Sequence, residues 1–240
     1  MAGMDGQGEK TSPAASGRVI ALVGAESTGK STLAPALAAR LAEATGLACI
    51  AVGEYLREWC EHASRTPRLD EQPAIAAEQQ RRIEAAAASH DVVVADTTPL
   101  LIAVYSRIVF GDRSLDEMAG RWHAGCVAHT LVTALDLPWT ADGHQRDGEH
   151  VREPVDAALR ELLAVHRIAW SRVAGLGEAR VEAALDAVAP LLRDAASPKR
   201  GLFTRLAERE AGEPDWPWVC ETCDVPECEH VLMRRRMPRL

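Results

Sequence analysis

Aromatic side chains are scarce, at 4% of the 240 residues, although 47% of the chain is hydrophobic. A core therefore has to be assembled mainly from Ala, Leu, Val and Ile, and the length suits one sizeable core plus an appendage. There is no basic field. A formal net charge of −8 argues against a general nucleic-acid binder and against a partner for anionic membranes. The short run Arg234–Arg236 reads as a solvated tail. No apolar run approaches the roughly 20 residues that a membrane span needs. Residues 1–10 carry Asp5 and Glu9 and no apolar stretch, so no secretory signal is expected there, and Ala2 fails the N-myristoylation pattern. Six cysteines without such a signal predict a reducing, cytoplasmic setting, in which clustered thiols bind metal more readily than they form disulfides.

Residues 1–17 are rich in Gly, Ser and Pro and read as a disordered tail. From Arg18 to about Arg193, short apolar runs alternate with helical patterns. Strands are expected at Val19–Val23, Ala48–Val52, Val92–Ala95 and Leu131–Ala134, with a weaker one at Ile168–Val173. Continuous apolar runs of this length suit strands covered on both faces. Helices are expected at Ser31–Glu43, Ala74–Ala88, Thr98–Val109, Val155–Val165 and Glu178–Leu192. The alternation predicts an α/β domain over 18–195, with a parallel sheet sandwiched by helices. Residues 196–240 are too few for a core of their own and read as an extension.

Residues Gly24-Ala25-Glu26-Ser27-Thr28-Gly29-Lys30-Ser31, followed by Thr32, spell a complete G-x-x-x-x-G-K-S between a strand and a helix. The chemistry needs these residue types. Glycines at 24 and 29 permit backbone angles and a close approach that a Cβ would block. Successive N–H groups then face a concavity that accepts phosphate oxygens, reinforced by the positive end of the following helix. Lys30 can reach the β- and γ-phosphates of ATP, and the Ser31 hydroxyl can ligate Mg²⁺. The alternative, a chance Gly-rich turn, does not explain the full match in this context. Pro35 removes one helical donor close to the first turn. The stretch Val92-Val-Val-Ala-Asp96 is an apolar strand ending in a carboxylate, which predicts a second Mg²⁺ ligand, although Asp96 can instead cap the next helix.

Beyond these two elements lie Glu54-Tyr-Leu-Arg57-Glu58 and Pro138-Trp139-Thr140-Ala141-Asp142-Gly143. With the loop and Asp96-Thr97-Thr98, and in this order, they resemble the ribosylnicotinamide kinase domain of the bifunctional NadR proteins and the broader group of P-loop ATPases around it. The resemblance covers about Arg18–Leu192. It implies a nucleoside-kinase variant of the P-loop fold, with the second and third strands beside the first. It also implies transfer of the ATP γ-phosphate to the 5′-hydroxyl of a ribonucleoside, nicotinamide riboside foremost, and a lid over the phosphates around 139–152. No adenylyltransferase activity follows, since only the kinase domain is matched. Glu54 can orient the acceptor hydroxyl or take its proton. Arg57 can meet phosphate with its fork of donors, and Glu58 can support Arg57 or bind acceptor hydroxyls. Read without the resemblance, a solvated helix start with internal charge pairs explains this stretch equally well. Tyr55 reads as core. Arg146 is the expected lid arginine, with Arg152 nearby as a second candidate. Two positions depart from the NadR pattern. Gly53 stands where an aromatic covers the nicotinamide, and Gln145 stands where the lid arginine falls, one place before Arg146.

Cys220-x-x-Cys223-x-x-x-x-Cys228-x-His230 supplies four candidate Zn²⁺ ligands, with a single residue between the last two. A redox pair or idle thiols are the alternatives. Cys49, Cys60 and Cys126 read as small apolar packing residues, and His123 and His129 as core or surface residues without evident partners. Trp216-Pro217-Trp218 can dock the extension on the domain or on a protein partner. Two functional classes therefore stand. One is a kinase acting on a small nucleoside-like acceptor. The other is a regulatory ATPase whose output reaches a partner through 196–240. A GTPase is disfavoured because no Asn-Lys-x-Asp occurs, and the ABC-type signature is also missing. If the cysteine cluster is a zinc site, the purified chain carries about one zinc per molecule by elemental analysis and Cys223→Ser loses it. Equal metal content in both proteins refutes the site.

Overall fold

A computed structural model describes residues 17–140 and 149–192. Five strands, β1 (Arg18–Val23), β2 (Cys49–Val52), β3 (Val92–Asp96), β4 (Val127–Thr133) and β5 (Trp170–Val173), form one sheet in the order β2-β3-β1-β4-β5. Every pairing is parallel. The third strand is thus the direct neighbour of the first, and the second lies outside the third. Seven α-helices alternate with them among the described residues: α1 (Lys30–Thr45), α2 (Tyr55–Ala63), α3 (Gln72–Ala87), α4 (Pro99–Phe110), α5 (Asp116–Cys126), α6 (Arg152–Val165) and α7 (Gly177–Leu192). None is long and apolar enough to cross a membrane.

The apolar runs explain the middle of the sheet. All five residues of β3 are buried, as are Val19 through Val23 of β1. Strand alternation sends Ala21 and Val23 towards Leu100, Leu101 and Val104 of α4 and Leu159 of α6. Val19, Val93 and Ala95 pack on Ile83 of α3. Ile20, Leu22 and Val94 point the other way, where α1 crosses β2 and β3 and packs on α7. Helix α1 presents Leu33, Leu37 and Leu41, one per turn, all buried. It ends at Gly46, whose left-handed φ of 73° lets its N–H reach Ala42 O. Burying an aliphatic side chain of this size contributes about 2 kcal/mol.

Three elements exceed what the apolar pattern shows. Strand β4 begins at Val127, four residues before the apolar stretch, and pairs with Val19 of β1 from that residue on, while His129 Nε2 lies 2.9 Å from Ser171 Oγ of β5. Helix α2 is short and highly charged. Helix α5 contains Gly120 and Gly125, which depress helix propensity. Packing requires the first of these, since a Cβ on Gly120 would stand 2.1 Å from the His166 ring. The lone cysteines do not behave alike. Cys60 is buried, but Cys49 is half-buried and Cys126 is exposed, so only Cys60 packs as a small apolar residue.

His123 does have partners. Its side chain is fully buried, with Nδ1 3.0 Å from Thr98 Oγ1 and Nε2 2.8 Å from Thr130 Oγ1. It ties α5 to the start of α4 and to β4. Burial, aided by the nearby His166, pushes its pKa down to about 4. Between pH 6.5 and about 4 the unfolded chain holds a proton that the folded imidazole refuses. This contribution to stability is complete above pH 6.5 and is lost as the pH falls towards 4. The expected loss is about 3 kcal/mol. Urea unfolding across this range should show it in the parent and not in His123→Gln, which can bridge both hydroxyls without titrating. An equal acid loss in the two proteins refutes the assignment.

Candidate active site

Between β1 and α1 the chain folds into a tight cradle. Gly24 has φ 151° and Gly29 φ 77°, and Ser27 adopts φ 55° between them. A Cβ on Gly24 would lie 2.1 Å from Thr133 Oγ1, so the loop approaches β4 as closely as only glycine allows. Thr133 Oγ1 lies 2.7 Å from Thr28 Oγ1, which donates to Ala25 O at 2.7 Å. Lys30, the first residue of α1, donates from Nζ to Gly24 O and Ala25 O at 2.9 Å each. The ammonium is thereby held over the loop where a polyphosphate would lie.

The other side of the loop rests on Arg180 of α7, which is 4% exposed. Its Nη2 donates to Thr28 O at 2.8 Å, and its Nη1 donates to Asp136 Oδ1 at 2.9 Å and to Gly175 O at 2.7 Å. Asp136 Oδ2 in turn accepts from Gly175 N at 2.7 Å. One ion pair therefore fastens the phosphate loop to the ends of β4 and β5. The segment after β4 is fastened to the loop as well. Trp139 Nε1 donates to Glu26 Oε1 at 3.1 Å, while Ser27 and Thr140 exchange two hydrogen bonds of 2.9 Å.

Asp96 ends β3 in register with Leu22 of β1. It is 2% exposed and its Oδ1 makes no hydrogen bond. It does not cap α4, whose N-cap Thr98 has no side-chain cap bond either. A buried carboxylate oxygen without a donor calls for a cation or ordered water. A carboxylate and a hydroxyl such as that of Ser31 are the kinds of oxygen that Mg²⁺ takes beside a nucleotide. Among the described residues no group of three or more His, Cys, Asp or Glu is placed to hold a metal.

The phosphate loop forms one wall of a cavity of about 380 Å³. Glu26 through Thr32 line that wall, and Glu54, Arg57, Gln72 and Thr66 contribute further polar groups to the lining. Leu56, Cys60, Tyr105, Val109 and Phe110 supply its apolar surface. The sequence-expected Lys30, Ser31, Glu54 and Arg57 thus meet in one space, whereas Asp96 lies outside its lining. Glu54 is the N-cap of α2, yet its carboxylate makes no cap bond.

Two expectations need correction. Glu58 does not support Arg57, because it pairs with Arg82 Nη1 at 2.7 Å. The same guanidinium lies 4.4 Å from the centre of the Tyr55 ring, so Tyr55 packs on Ile75 and Ile102 with Arg82 over it. Arg152 is no mobile lid residue. It is 6% exposed and donates to Leu137 O at 2.9 Å. Arg146, Asp142 and the cluster Cys220, Cys223, Cys228 and His230 lie outside the described residues. Arg180, Asp136, Thr133 and Gln79 escaped sequence reasoning. Each meets partners at least 18 residues away in the sequence, and no local motif marks it.

The family described as AAA domain matches residues 19–180. The chain belongs to this AAA-domain family. A comparison with curated proteins found no match. Among solved structures, this AAA-domain chain superposes on NadR in complex with NR at TM-score 0.58 and 21% identity, covering 72% of this chain and 50% of that one. NadR in complex with NAD and AMP-PNP gives 0.57 and 19%, with the same coverage. The chain spans about half the length of these NadR chains. Thymidylate kinase from Candida albicans gives 0.52 and 14%, covering 76% of this chain and 94% of that one. The shared fold is that of the P-loop kinases, as the sequence pattern anticipated.

Removing Arg180 leaves Thr28 O and a partly buried Asp136 without their cation. Arg180→Met is expected to cost about 3 kcal/mol in urea unfolding. Arg180→Met combined with Asp136→Leu should cost less than the two single changes summed. Strict additivity refutes the clamp.

Proposed function

We propose that this chain is an ATP-dependent kinase that passes the γ-phosphate to the 5′-hydroxyl of a ribonucleoside, with nicotinamide riboside the leading acceptor. The observation that carries this reading is that Glu54 and Arg57 line the same cavity as Glu26 through Thr32. A donor loop and a carboxylate therefore face one space. The fold shared with NadR and thymidylate kinase supports a phosphotransferase.

On this reading the loop N–H groups, Lys30 and the start of α1 hold the polyphosphate. Ser31 and Asp96 would hold Mg²⁺, which neutralises charge on the β- and γ-phosphate oxygens when bound. Glu54 orients the acceptor hydroxyl and takes its proton. The acceptor oxygen bonds to the γ-phosphorus as the bond to the bridging oxygen breaks, and ADP leaves. Arg57 steadies the transferring group from the acceptor side, and Arg146 is proposed to reach it from the lid.

The cavity's charge balance favours a nucleoside over a nucleoside monophosphate. Among the described residues its lining holds two cations, Lys30 and Arg57, and two anions, Glu26 and Glu54. A second phosphorylated substrate would ask for further cations. Leu56, Tyr105 and Phe110 offer a surface for a planar base. ATP as donor and thiols expected to stay reduced suit the cytoplasm, in a step of NAD metabolism. Zinc at Cys220, Cys223, Cys228 and His230 is a separate proposal, with a protein partner or a self-contact through 196–240.

The test is phosphate transfer from MgATP to a panel of nucleosides led by nicotinamide riboside. One nucleoside should accept phosphate from the parent. Lys30→Ala should abolish transfer, and Glu54→Ala should slow it about 100- to 10,000-fold. ATP consumption that no nucleoside accelerates sinks the kinase reading and leaves a regulatory ATPase.

A further inference from the structure

Gln79 sits on α3 with no solvent exposure, and it lines no part of the cavity. Its Oε1 accepts from Tyr55 N at 2.7 Å. Its Nε2 lies 3.2 Å from both Gly53 O and Thr97 O and donates to each. The side chain has one acceptor group and two donor hydrogens, and all are used. The three partners are not scattered. Gly53 and Tyr55 are the residues on either side of Glu54, and Thr97 directly follows Asp96.

The two backbone segments need such a bond. The Tyr55 N–H belongs to the first turn of α2, where an amide has no helical partner. Thr97 has φ 73°, a left-handed conformation that costs a threonine energy and persists only where its surroundings over-determine it. Its N–H is fixed on Leu22 O at 3.0 Å, and Gln79 fixes its carbonyl. One buried amide therefore connects the turn that carries Glu54 to the turn that carries Asp96.

We propose that Gln79 is a positioning residue for phosphoryl transfer, setting the acceptor-side carboxylate Glu54 against the Mg²⁺-side carboxylate Asp96, an inference that rests on the kinase reading above. Transfer needs donor and acceptor aligned within a fraction of an ångström, so releasing one turn from the other lowers turnover more than it lowers ATP binding. A purely structural glutamine would instead affect stability and both kinetic constants together.

The experiment uses the full chain with MgATP and the nucleoside that the panel identifies. Gln79→Met keeps the side-chain length and removes all three hydrogen bonds. It should lower kcat about 100-fold while the KM for ATP stays within about twofold. In the unaltered protein, the Tyr55 amide should exchange with solvent about 100-fold more slowly than in the unfolded chain. That second measurement stands even if Gln79→Met fails to fold. An active parent with an equally active Gln79→Met overturns the inference alone, as does a Tyr55 amide that exchanges at the unfolded rate. A proportional change in kcat and KM also overturns it. A parent that phosphorylates no nucleoside overturns the kinase reading and this inference with it.

Discussion

A loop that offers its N–H groups to an anion has to dispose of its carbonyls elsewhere. In a trans peptide the two groups point in opposite directions, so wherever a carbonyl is bound from below, the next N–H faces up. Arg180 binds Thr28 O from within the domain, which turns the following Gly29 N–H towards the cradle. Lys30 accounts for the carbonyls of Gly24 and Ala25. The remaining interactions secure the two cations. Asp136 and Gly175 hold Arg180, and α1, anchored by Leu33, Leu37 and Leu41, holds Lys30. A loop of small residues thus has fixed geometry because its polar backbone is satisfied on the protein side.

Strand order sets the neighbouring turns beside that loop. In a parallel sheet all the carboxyl ends lie along one edge, and ligands collect there. The arrangement β2-β3-β1 sets the turn with Glu54, the turn with Asp96 and the phosphate loop side by side. Two of these turns contain residues in left-handed conformations without glycine, Ser27 and Thr97. Both are held by partners distant in sequence, Ser27 by Thr140 and Thr97 by Leu22 and Gln79. Strained backbone at the site coincides with dense hydrogen bonding around it.

What was legible in the sequence was whatever a short stretch encodes by itself. The phosphate loop is local chemistry, and β1 and β3 are buried on both faces, so their residues read as uninterrupted apolar runs. The beginning of β4 was not legible because His129 and Thr130 are satisfied by Ser171 and His123, partners that no pattern within the strand announces. Helix α5 was hidden by Gly120, which a neighbouring ring demands. Glu54 and Arg57 were picked out through the resemblance rather than through any local chemistry, and the expected support of Arg57 by Glu58 is not what the fold provides. The cation that Glu58 meets, Arg82, comes from the adjacent helix α3 rather than from its chain neighbour Arg57. The clamps at Arg180 and Gln79 exist only after the sheet has brought distant segments together.

Gly53 shows where the fold stops deciding and the ligand begins. A Cβ there would meet nothing within 4 Å, and its φ is not among the positive ones. Neither packing nor backbone angle demands glycine at that position, so the fold would accept a larger side chain. Its carbonyl is engaged by Gln79, a bond that any residue could make. The aromatic surface of the cavity comes instead from α4, through Tyr105 and Phe110. On the proposed reading, a base lying against α4 is covered on one face, whereas an aromatic at position 53 would enclose the other. Enclosing both faces of a planar ring excludes more water and discriminates more sharply among rings than covering one. On that reading the missing side chain bears on the breadth of acceptor choice and leaves the proposed phosphate-transfer residues Lys30, Asp96 and Glu54 untouched.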